Sequence, residues 1–300
     1  MVFEGIRPVL HIPFADTREQ PVIAAELTRL ARHMLDAGAD GLVVPGLASE
    51  SWALTESERE QVITIAAAAC DGRAPLVVGL DGTTAVAVER ARRAAAAGAG
   101  GLMVLPPAQA TTREALVRHF SAIADVAGLP ILVQDSPQVT RVVLDVATLA
   151  AIREAHALVV AVKSEIPGAG PKASAIRDAG FELVAGWGGL DYPAQLQRGA
   201  VGCFPGCDLA PALSAIHRLA RHGDVRASGE LYRAILPYLS LATASLELLL
   251  LTAKRHLRRR GIFSSEVLRA PSRALDEHES RRVDDLLDEL ATRGVPGFAP

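Results

Sequence analysis

The chain has 300 residues, of which 50% are hydrophobic and 22% are charged, and its formal net charge at pH 7 is −3. This length allows one large domain or two ordinary ones, and the lack of a basic block gives no reason to expect a nucleic acid partner. The three cysteines form no paired framework and have no neighbours at metal-ligand spacing, so we expect a reduced, cytoplasmic setting and no metal site.

Short apolar runs alternate along the chain with amphipathic stretches, which is the pattern of a parallel α/β fold. The predicted strands begin near Ile6, Gly41, Pro75, Gly101, Pro130, Leu158, Glu182 and Ala200. The predicted helices lie near residues 21–37, 55–70, 83–98, 112–127, 145–154, 171–179, 191–198 and 209–222. Eight strand–helix pairs within roughly 220 residues match the count and length of a (β/α)8 TIM barrel, which we assign to residues 1–223.

The alternative architecture is a doubly wound sheet, which normally carries a glycine-rich phosphate turn after its first strand. Here the first strand ends in the sequence HIPF (residues 11–14), which is not such a turn. An internal repeat also favours the barrel, because residues 37–45 (AGADGLVVP) resemble residues 97–106 (AGAGGLMVLP). Each copy places a glycine at a helix end and follows it with an apolar strand that ends in proline.

After Gly223 the sequence predicts helix alone. Helical stretches are expected from residue 224 to about residue 260, with a break at Pro237, and again at residues 276–293. The apolar run at residues 246–251 is short and closely followed by Lys254, so it is typical of a buried helix rather than a membrane span. We therefore predict a helical C-terminal extension, residues 224–300, that packs on the barrel or on a neighbouring subunit.

Lys163 ends an apolar run, residues 157–163 (ALVVAVK), in the predicted sixth strand. Only three of the 31 basic residues are lysines, namely Lys163, Lys172 and Lys254. An amine at the tip of a buried strand can lose its proton through desolvation, which frees the lone pair to attack a carbonyl, whereas arginine stays protonated. The alternative is a lysine that happens to close a strand and extends to solvent. Lys172 begins a predicted helix and is expected to be a surface charge.

Five segments carry a resemblance to a known family. They are residues 5–14 (GIRPVLHIPF), 46–59 (GLASESWALTESER), 130–137 (PILVQDSP), 162–164 (VKS) and 199–203 (GAVGC). In this order and spacing they resemble the dihydrodipicolinate synthase / N-acetylneuraminate lyase superfamily of Schiff-base aldolases, over essentially the whole chain. The resemblance implies that Lys163 forms an imine with a 2-oxo acid, without a metal or an organic cofactor, in a homotetramer or homodimer.

The chain departs from that family at its proton relay. The relay threonine, the tyrosine at the fifth strand tip and the tyrosine from a neighbouring subunit correspond here to Leu47, Gln134 and Ala108. The second loop threonine, which helps to hold the substrate carboxylate, is Ala48, and the arginine for a second substrate falls on Val139. Glutamine cannot donate and recover a proton as a phenol does, which argues against dihydrodipicolinate synthesis and against ordinary sialic acid cleavage.

Three residues at the strand tips are candidates to carry protons instead: Asp135, Glu165 and His11. Glu165 lies two residues beyond Lys163 and shares its face if the strand continues, whereas alternation turns Asp135 roughly opposite to Gln134. The structural alternatives are a turn aspartate, a solvated loop glutamate and a hydrogen-bonded core histidine.

The predicted catalytic set is Lys163, Gln134, Asp135 and Glu165. The predicted substrate-binding set is Ala48, Ser49, Gly186 and Phe204, with the loop at residues 46–50 receiving the substrate carboxylate. We predict a lyase, either an aldolase or a dehydratase, that acts on a 2-oxo acid or a deoxy sugar acid through a lysine Schiff base. One alternative is a barrel that binds a keto acid without turning it over, and another is non-covalent acid–base catalysis by Asp135 and Glu165.

Overall fold

The computed structural model describes residues 2–168 and 170–298, and these residues contain eight parallel strands in one sheet. The strands are β1 (Gly5–Ile6), β2 (Leu42–Val43), β3 (Leu76–Leu80), β4 (Gly101–Val104), β5 (Ile131–Asp135), β6 (Val159–Ser164), β7 (Glu182–Ala185) and β8 (Gly202–Cys203). Their order in the sheet is β1-β8-β7-β6-β5-β4-β3-β2. Beyond β1, Val9 forms a parallel bridge with Val43 of β2, and Leu10 N donates to Val43 O at 2.9 Å. The sheet therefore closes on itself, which confirms the predicted (β/α)8 barrel.

Helices follow the strands as the sequence predicts. They are α1 (Ala24–Asp36), α2 (Glu56–Cys70), α3 (Thr84–Ala96), α4 (Arg113–Ala127), α5 (Pro137–Thr140), α6 (Val146–Ala155), α7 (Gly170–Asp178), α8 (Tyr192–Gln197), α9 (Ala210–Arg221), α10 (Val225–Ala242), α11 (Leu246–Arg259) and α12 (Glu277–Thr292). The internal repeat marks two equivalent helix ends, because Gly38 after α1 and Gly98 after α3 have positive φ angles of 92° and 82°. Glycine adopts this left-handed conformation without steric cost, which ends each helix and turns the chain into the next strand.

Alternation along the strands separates the side chains inside the barrel from those that face the helices. The inner side chains form their own apolar cluster, which includes Val43, Val77, Met103, Leu132, Ala161 and Val184. Lys163 stands two residues beyond Ala161 on β6, and Gln134 stands two residues beyond Leu132 on β5. Both side chains therefore lie inside the barrel at its carboxyl end, above an apolar floor.

The first helix of the C-terminal extension, α10, passes through Pro237 without interruption, so the predicted break at that residue is wrong. Proline removes one backbone hydrogen bond from a helix. Here the neighbouring Tyr238 and Leu239 are fully buried, and this packing keeps the helix continuous. The break lies instead between α10 and α11, where Ser245 Oγ accepts a hydrogen bond from Leu248 N at 3.1 Å and caps α11.

Side-chain hydrogen bonds join the C-terminal helices to the barrel. Tyr238 Oη donates to Asp208 Oδ2 at 2.7 Å, and Trp187 Nε1 donates to Thr243 O at 3.0 Å. No single helix in residues 2–168 or 170–298 is long and apolar enough to cross a membrane, and α10 and α11 meet that test only as a pair bent by 119°. The division of the chain into domains 1–223 and 224–300 stays a prediction.

Candidate active site

Lys163 and Glu165 form a buried ion pair at the carboxyl end of β6. Lys163 Nζ lies 2.8 Å from Glu165 Oε1, and the two residues are only 3% and 4% exposed. Burial by itself raises the pKa of the Glu165 carboxyl, but the charge and hydrogen bond of Lys163, together with a hydrogen bond from Gln134, hold that pKa below its ordinary value. The resting site therefore contains a carboxylate in direct contact with an ammonium group.

Gln134 completes a three-residue cluster. It is the register partner of Lys163 on the adjacent strand β5, and its Nε2 donates to Glu165 Oε2 at 2.9 Å. One carboxylate oxygen thus faces the lysine and the other is held by the amide. Of the four predicted catalytic residues, the structure brings together Lys163, Gln134 and Glu165; their catalytic roles stay predictions.

Gly186 provides the space that this cluster occupies. A Cβ atom at this position would lie 2.4 Å from Glu165 Cγ and 2.9 Å from Lys163 Cε, which no ordinary packing tolerates. The next residue, Trp187, has a φ of 49° and its backbone N lies 3.5 Å from Glu165 Oε1. The predicted substrate-binding residue Gly186 therefore borders the ion pair directly, at the point where β7 ends.

Asp135 does not join the cluster around Lys163. It is the last residue of β5, and alternation turns it away from Gln134 toward the helices, where Lys172 Nζ lies 2.5 Å from its Oδ2. Lys172 is thus not a free surface charge as predicted, because it holds this completely buried carboxylate. Burial raises the pKa of the Asp135 carboxyl, and Lys172 opposes that rise. A catalytic role for Asp135 stays a prediction, but its side chain contacts a different lysine.

The loop after β2 approaches Lys163 through Ala48. Residues Leu47–Ser49 form one turn of 3-10 helix, and Ser49 Oγ donates to Leu10 O at 2.6 Å and accepts from Gly46 N at 3.0 Å. The Ser49 hydroxyl therefore holds the loop in shape. In the described chain no hydrogen bond uses the backbone N–H groups of Leu47 and Ala48, as is usual at the start of a helical turn.

A narrow cavity of about 30 Å³ lies beside Lys163 and Glu165. Its other walls include Val9, Leu47, Ala48, Trp187, Phe204, Leu246 and Leu249. Phe204 was a predicted substrate-binding residue and lies in this wall, whereas the two leucines come from α11 and were not predicted. A larger groove, about 560 Å³, lies beside α11 around Arg255 and Ser264, but neither Lys163 nor Glu165 lines it.

His11, the third proton-carrier candidate, is completely buried beside the loop after β8. Its Nδ1 accepts from Cys207 N at 3.5 Å. Burial and the nearby charge of Lys254 lower the pKa of His11 to about 3, so it is neutral at physiological pH.

Nowhere in the described residues do three or more His, Cys, Asp or Glu side chains lie close enough together to hold a metal ion.

Comparison with known proteins gives one consistent family. The family model described as "Dihydrodipicolinate synthetase family" matches residues 2–290. The chain is 33% identical, over 96% of each chain, to L-2-keto-3-deoxyarabonate dehydratase of Azospirillum brasilense. It is 32% identical to 4-hydroxy-tetrahydrodipicolinate synthase 2 of Streptomyces coelicolor, over 89% of this chain and 88% of the relative. The crystal structure of dihydrodipicolinate synthase from Rhodopseudomonas palustris superposes with a TM-score of 0.89 at 25% identity, covering 96% of this chain and 97% of the other.

Proposed function

Because the chain belongs to the dihydrodipicolinate synthetase family of lyases, we propose that it acts on a 2-oxo acid or a deoxy sugar acid through a Schiff base on Lys163. The observation that carries this proposal is the contact of 2.8 Å between Lys163 Nζ and Glu165 Oε1 inside the barrel. A nucleophilic lysine needs an adjacent group that takes its proton, and Glu165 is that group.

The first stage is formation of the imine. When a 2-oxo acid fills the cavity, the Lys163 ammonium transfers a proton to Glu165, and the neutral amine attacks the C2 carbonyl carbon. The protonated Glu165 then returns the proton to the carbinolamine hydroxyl, which leaves as water. The product of this stage is an iminium ion on Lys163 beside the regenerated Glu165 carboxylate, so the charges of the resting ion pair are restored.

The second stage uses the same carboxylate as a base. Glu165 removes a proton from C3 of the substrate, and the electron pair moves into the iminium to give an enamine. The protonated Glu165 can then protonate a hydroxyl on C4, which leaves as water while the enamine electrons form the C3–C4 double bond. Gln134 does not transfer protons in this scheme. It occupies the position where the family resemblance places a tyrosine, and it holds Glu165 with one oxygen directed at Lys163.

Dehydration is the reaction that we propose first. The relative that aligns over 96% of each chain is named a dehydratase, and a single carboxylate beside the imine suffices for loss of water. Aldol cleavage passes through the same enamine and is the nearest alternative. Leu47, Gln134 and the exposed Ala108 carry no hydroxyl at the three relay positions, and we therefore propose that the protein is not a dihydrodipicolinate synthase.

We propose that the substrate carboxylate binds to the turn after β2. The N–H groups of Leu47 and Ala48 are free of other hydrogen bonds in the described chain, and Ala48 lines the cavity beside Lys163. Two backbone donors at the start of a helical turn suit a carboxylate. Because the Ser49 hydroxyl already bonds Leu10 O and Gly46 N, it stabilises this turn.

We also propose that the protein is a homodimer or a homotetramer. Light scattering, which measures the mass of the assembly in solution, tests this.

Borohydride trapping tests this proposal. The protein is incubated with pyruvate, a 2-oxo-3-deoxypentonate or a 2-oxo-3-deoxyhexonate, reduced with sodium borohydride, and weighed by mass spectrometry. We expect an adduct that peptide mapping places on Lys163, its loss in Lys163→Ala, and its retention in the control Lys172→Arg. Absence of an adduct with every acid that binds contradicts the proposal.

Product analysis of parallel incubations without borohydride, one of them pyruvate with added aspartate semialdehyde, separates the alternatives. Loss of water from a deoxy sugar acid indicates a dehydratase, and release of pyruvate indicates an aldolase. An adduct without any turnover indicates a barrel that only binds keto acids. Turnover without an adduct indicates non-covalent acid–base catalysis, and condensation of pyruvate with aspartate semialdehyde indicates a synthase after all.

A further inference from the structure

Glu50 ends the loop at residues 46–50 and binds the C-terminal extension rather than solvent. It is 1% exposed and has a φ of 52°, in the left-handed region that non-glycine residues seldom adopt. Its Oε1 accepts from Lys254 Nζ at 2.5 Å, and its Oε2 accepts from Arg269 N at 2.9 Å. Both carboxylate oxygens are thus held by residues more than 200 positions away in sequence.

Lys254 is completely buried on α11 and has no contact with bulk solvent. Besides Glu50, its ammonium donates to Val267 O at 2.7 Å and lies 4.5 Å from the centre of the Phe14 ring. Burial lowers the pKa of Lys254 to about 8, with Glu50 opposing and Arg269 adding to that change. Because Lys254 is buried, no solvent water can replace these partners of its ammonium group. The ammonium group therefore stays in one position and holds the Glu50 carboxylate in place.

Arg269 also lies against Phe14 and holds the same region. Its guanidinium lies 4.1 Å from the ring centre, and it donates to Ala53 O at 2.9 Å and to Glu58 Oε1 at 2.5 Å. Ala53 belongs to the turn that follows Glu50, and Glu58 lies in the first turn of α2. Two cations therefore contact one aromatic ring and bind Glu50, Ala53 and Glu58, which lie between the end of the substrate loop and the first turn of α2.

A buried ion pair is a costly way to stabilise a fold, because packed apolar side chains of similar volume serve as well or better. The Glu50–Lys254 pair instead fixes the position of the loop at residues 46–50. The same helix that carries Lys254 also places Leu246 and Leu249 in the wall of the cavity beside Lys163. Helix α11 therefore contacts the substrate site in two places. Leu246 and Leu249 lie in the cavity wall, and Lys254 holds the loop at residues 46–50 through Glu50.

We propose that Glu50, Lys254 and Arg269 are positioning residues, which hold the loop at residues 46–50 so that its backbone N–H groups meet the carboxylate of the substrate. This assignment of the C-terminal helices to substrate binding rests on the proposed function. The three residues do not touch the substrate. They act through the loop, so their loss weakens substrate binding and leaves the reactivity of Lys163 unchanged.

The test compares wild-type protein with Lys254→Met and with the double variant Glu50→Gln/Lys254→Met. The double variant leaves no unpaired buried charge, so it keeps the fold even if the single variant does not. Arg258→Met is the matched control, because Arg258 lies on the same helix, is 57% exposed and, among the described residues, forms an ion pair with Glu266 alone. Pyruvate is the probe. The readouts are the pyruvate concentration that gives half-maximal borohydride trapping and the maximal trapping rate at saturation.

We expect the double variant to need about tenfold more pyruvate, the scale of a lost charge-assisted hydrogen bond, with a maximal rate close to that of the wild type. Hydrogen–deuterium exchange of the peptide that spans residues 46–53 provides a second readout, which does not depend on Lys163 chemistry. We expect faster exchange in this peptide in the double variant and not in Arg258→Met.

Two results overturn the assignment of these positioning residues. One is a folded double variant with wild-type exchange at residues 46–53, and the other is faster exchange there with an unchanged half-saturating concentration of pyruvate. If the wild-type protein forms no adduct with pyruvate, the proposed function fails for that acid. The exchange measurement then still decides whether Lys254 and Glu50 hold the loop.

Discussion

Gln134 and Lys163 are register partners on adjacent parallel strands, and both bind the same carboxylate, that of Glu165. Because their side chains leave β5 and β6 on the inner face at the same level, they enclose Glu165 from two directions. The carboxylate is thereby fixed at 2.8 Å from the amine even though Glu165 itself lies beyond the end of β6.

Removal of the Gln134 amide should change the ionisation of Glu165. The hydrogen bond from Gln134 helps to lower the pKa of Glu165, so Gln134→Leu raises that pKa. Glu165 must be ionised to act as a base, and the acid limb of the rate profile therefore moves to higher pH. We expect the exchange of pyruvate methyl protons for deuterium, followed by NMR, to slow about tenfold on this acid limb and much less at neutral pH.

Gln138→Leu is the matched control for this measurement. Gln138 Nε2 donates to the backbone oxygen of Glu165 at 2.9 Å and does not touch the carboxylate. Its replacement should leave the pH profile in place. A wild-type profile for Gln134→Leu would show that the amide does not tune Glu165.

Gly186→Ala should displace the ion pair without unfolding the protein. The backbone of Gly186 is extended, with a φ of −132°, so alanine is compatible with its conformation. The added Cβ, however, would lie 2.4 Å from Glu165 Cγ. We expect a stability loss of about 1–3 kcal/mol from overpacking, measured by urea unfolding, and a larger proportional loss of methyl proton exchange.

Gly229→Ala serves as the comparison, since among the described residues its Cβ would meet only Arg233 Nη1, at 3.4 Å, on a partly exposed part of α10. Alanine is the better helix former there, so stability should stay the same or rise slightly. Equal exchange rates in Gly186→Ala and Gly229→Ala would contradict the role assigned to the space beside Glu165.

Lys172→Met should affect stability more than chemistry. It leaves the buried Asp135 carboxylate without its cation, which we expect to cost about 2–3 kcal/mol, allowing for the partial exposure of Lys172. Because Asp135 faces away from Lys163, trapping of pyruvate by the folded variant should stay within about twofold of the wild-type rate. Loss of trapping in a folded Lys172→Met variant would instead place Asp135 in the proton transfer.

Asp208 gives a prediction for the pH dependence of stability. Burial raises the pKa of Asp208 to about 6, although a hydrogen bond from Tyr238 opposes the rise. Between the ordinary value near 4 and this value, the folded chain holds a proton that the unfolded chain has released. Stability attributable to Asp208 therefore falls as pH rises from about 4 to 6 and stays lower above that range.

Asp208→Asn removes this titration and keeps an acceptor for Tyr238. Relative to the variant, the wild-type protein should lose about 2–3 kcal/mol of unfolding free energy between pH 4 and 6.5, as measured by urea unfolding. A difference between the two proteins that does not vary with pH would show that Asp208 titrates at its ordinary pKa.

Local patterns in the sequence were sufficient to predict the barrel and the position of Lys163. Strand alternation also indicated that Asp135 points roughly opposite to Gln134, although Asp135 stayed in the predicted catalytic set. The spacing of two between Lys163 and Glu165 likewise indicated a shared face.

Contacts between distant segments were not predictable in this way. Lys172 was expected at the surface because its partner, Asp135, is 37 residues away, and the pairing depends on how α7 packs against the end of β5. Lys254 and Glu50 are 204 residues apart. The scarcity of lysine in the sequence was a usable signal, because all three lysines bind buried carboxylates. The continuity of α10 through Pro237 likewise depends on tertiary packing that no local pattern records.

The most direct test of the central claim is to compare pyruvate trapping with methyl proton exchange in Glu165→Gln. Glu165 takes the proton of Lys163 before imine formation and removes the C3 proton after it, so the variant should give a borohydride adduct on Lys163 more slowly than the wild type. Methyl proton exchange should fall by about 10²-fold or more. Exchange at the wild-type rate in Glu165→Gln, or an adduct on any residue other than Lys163, would contradict this account.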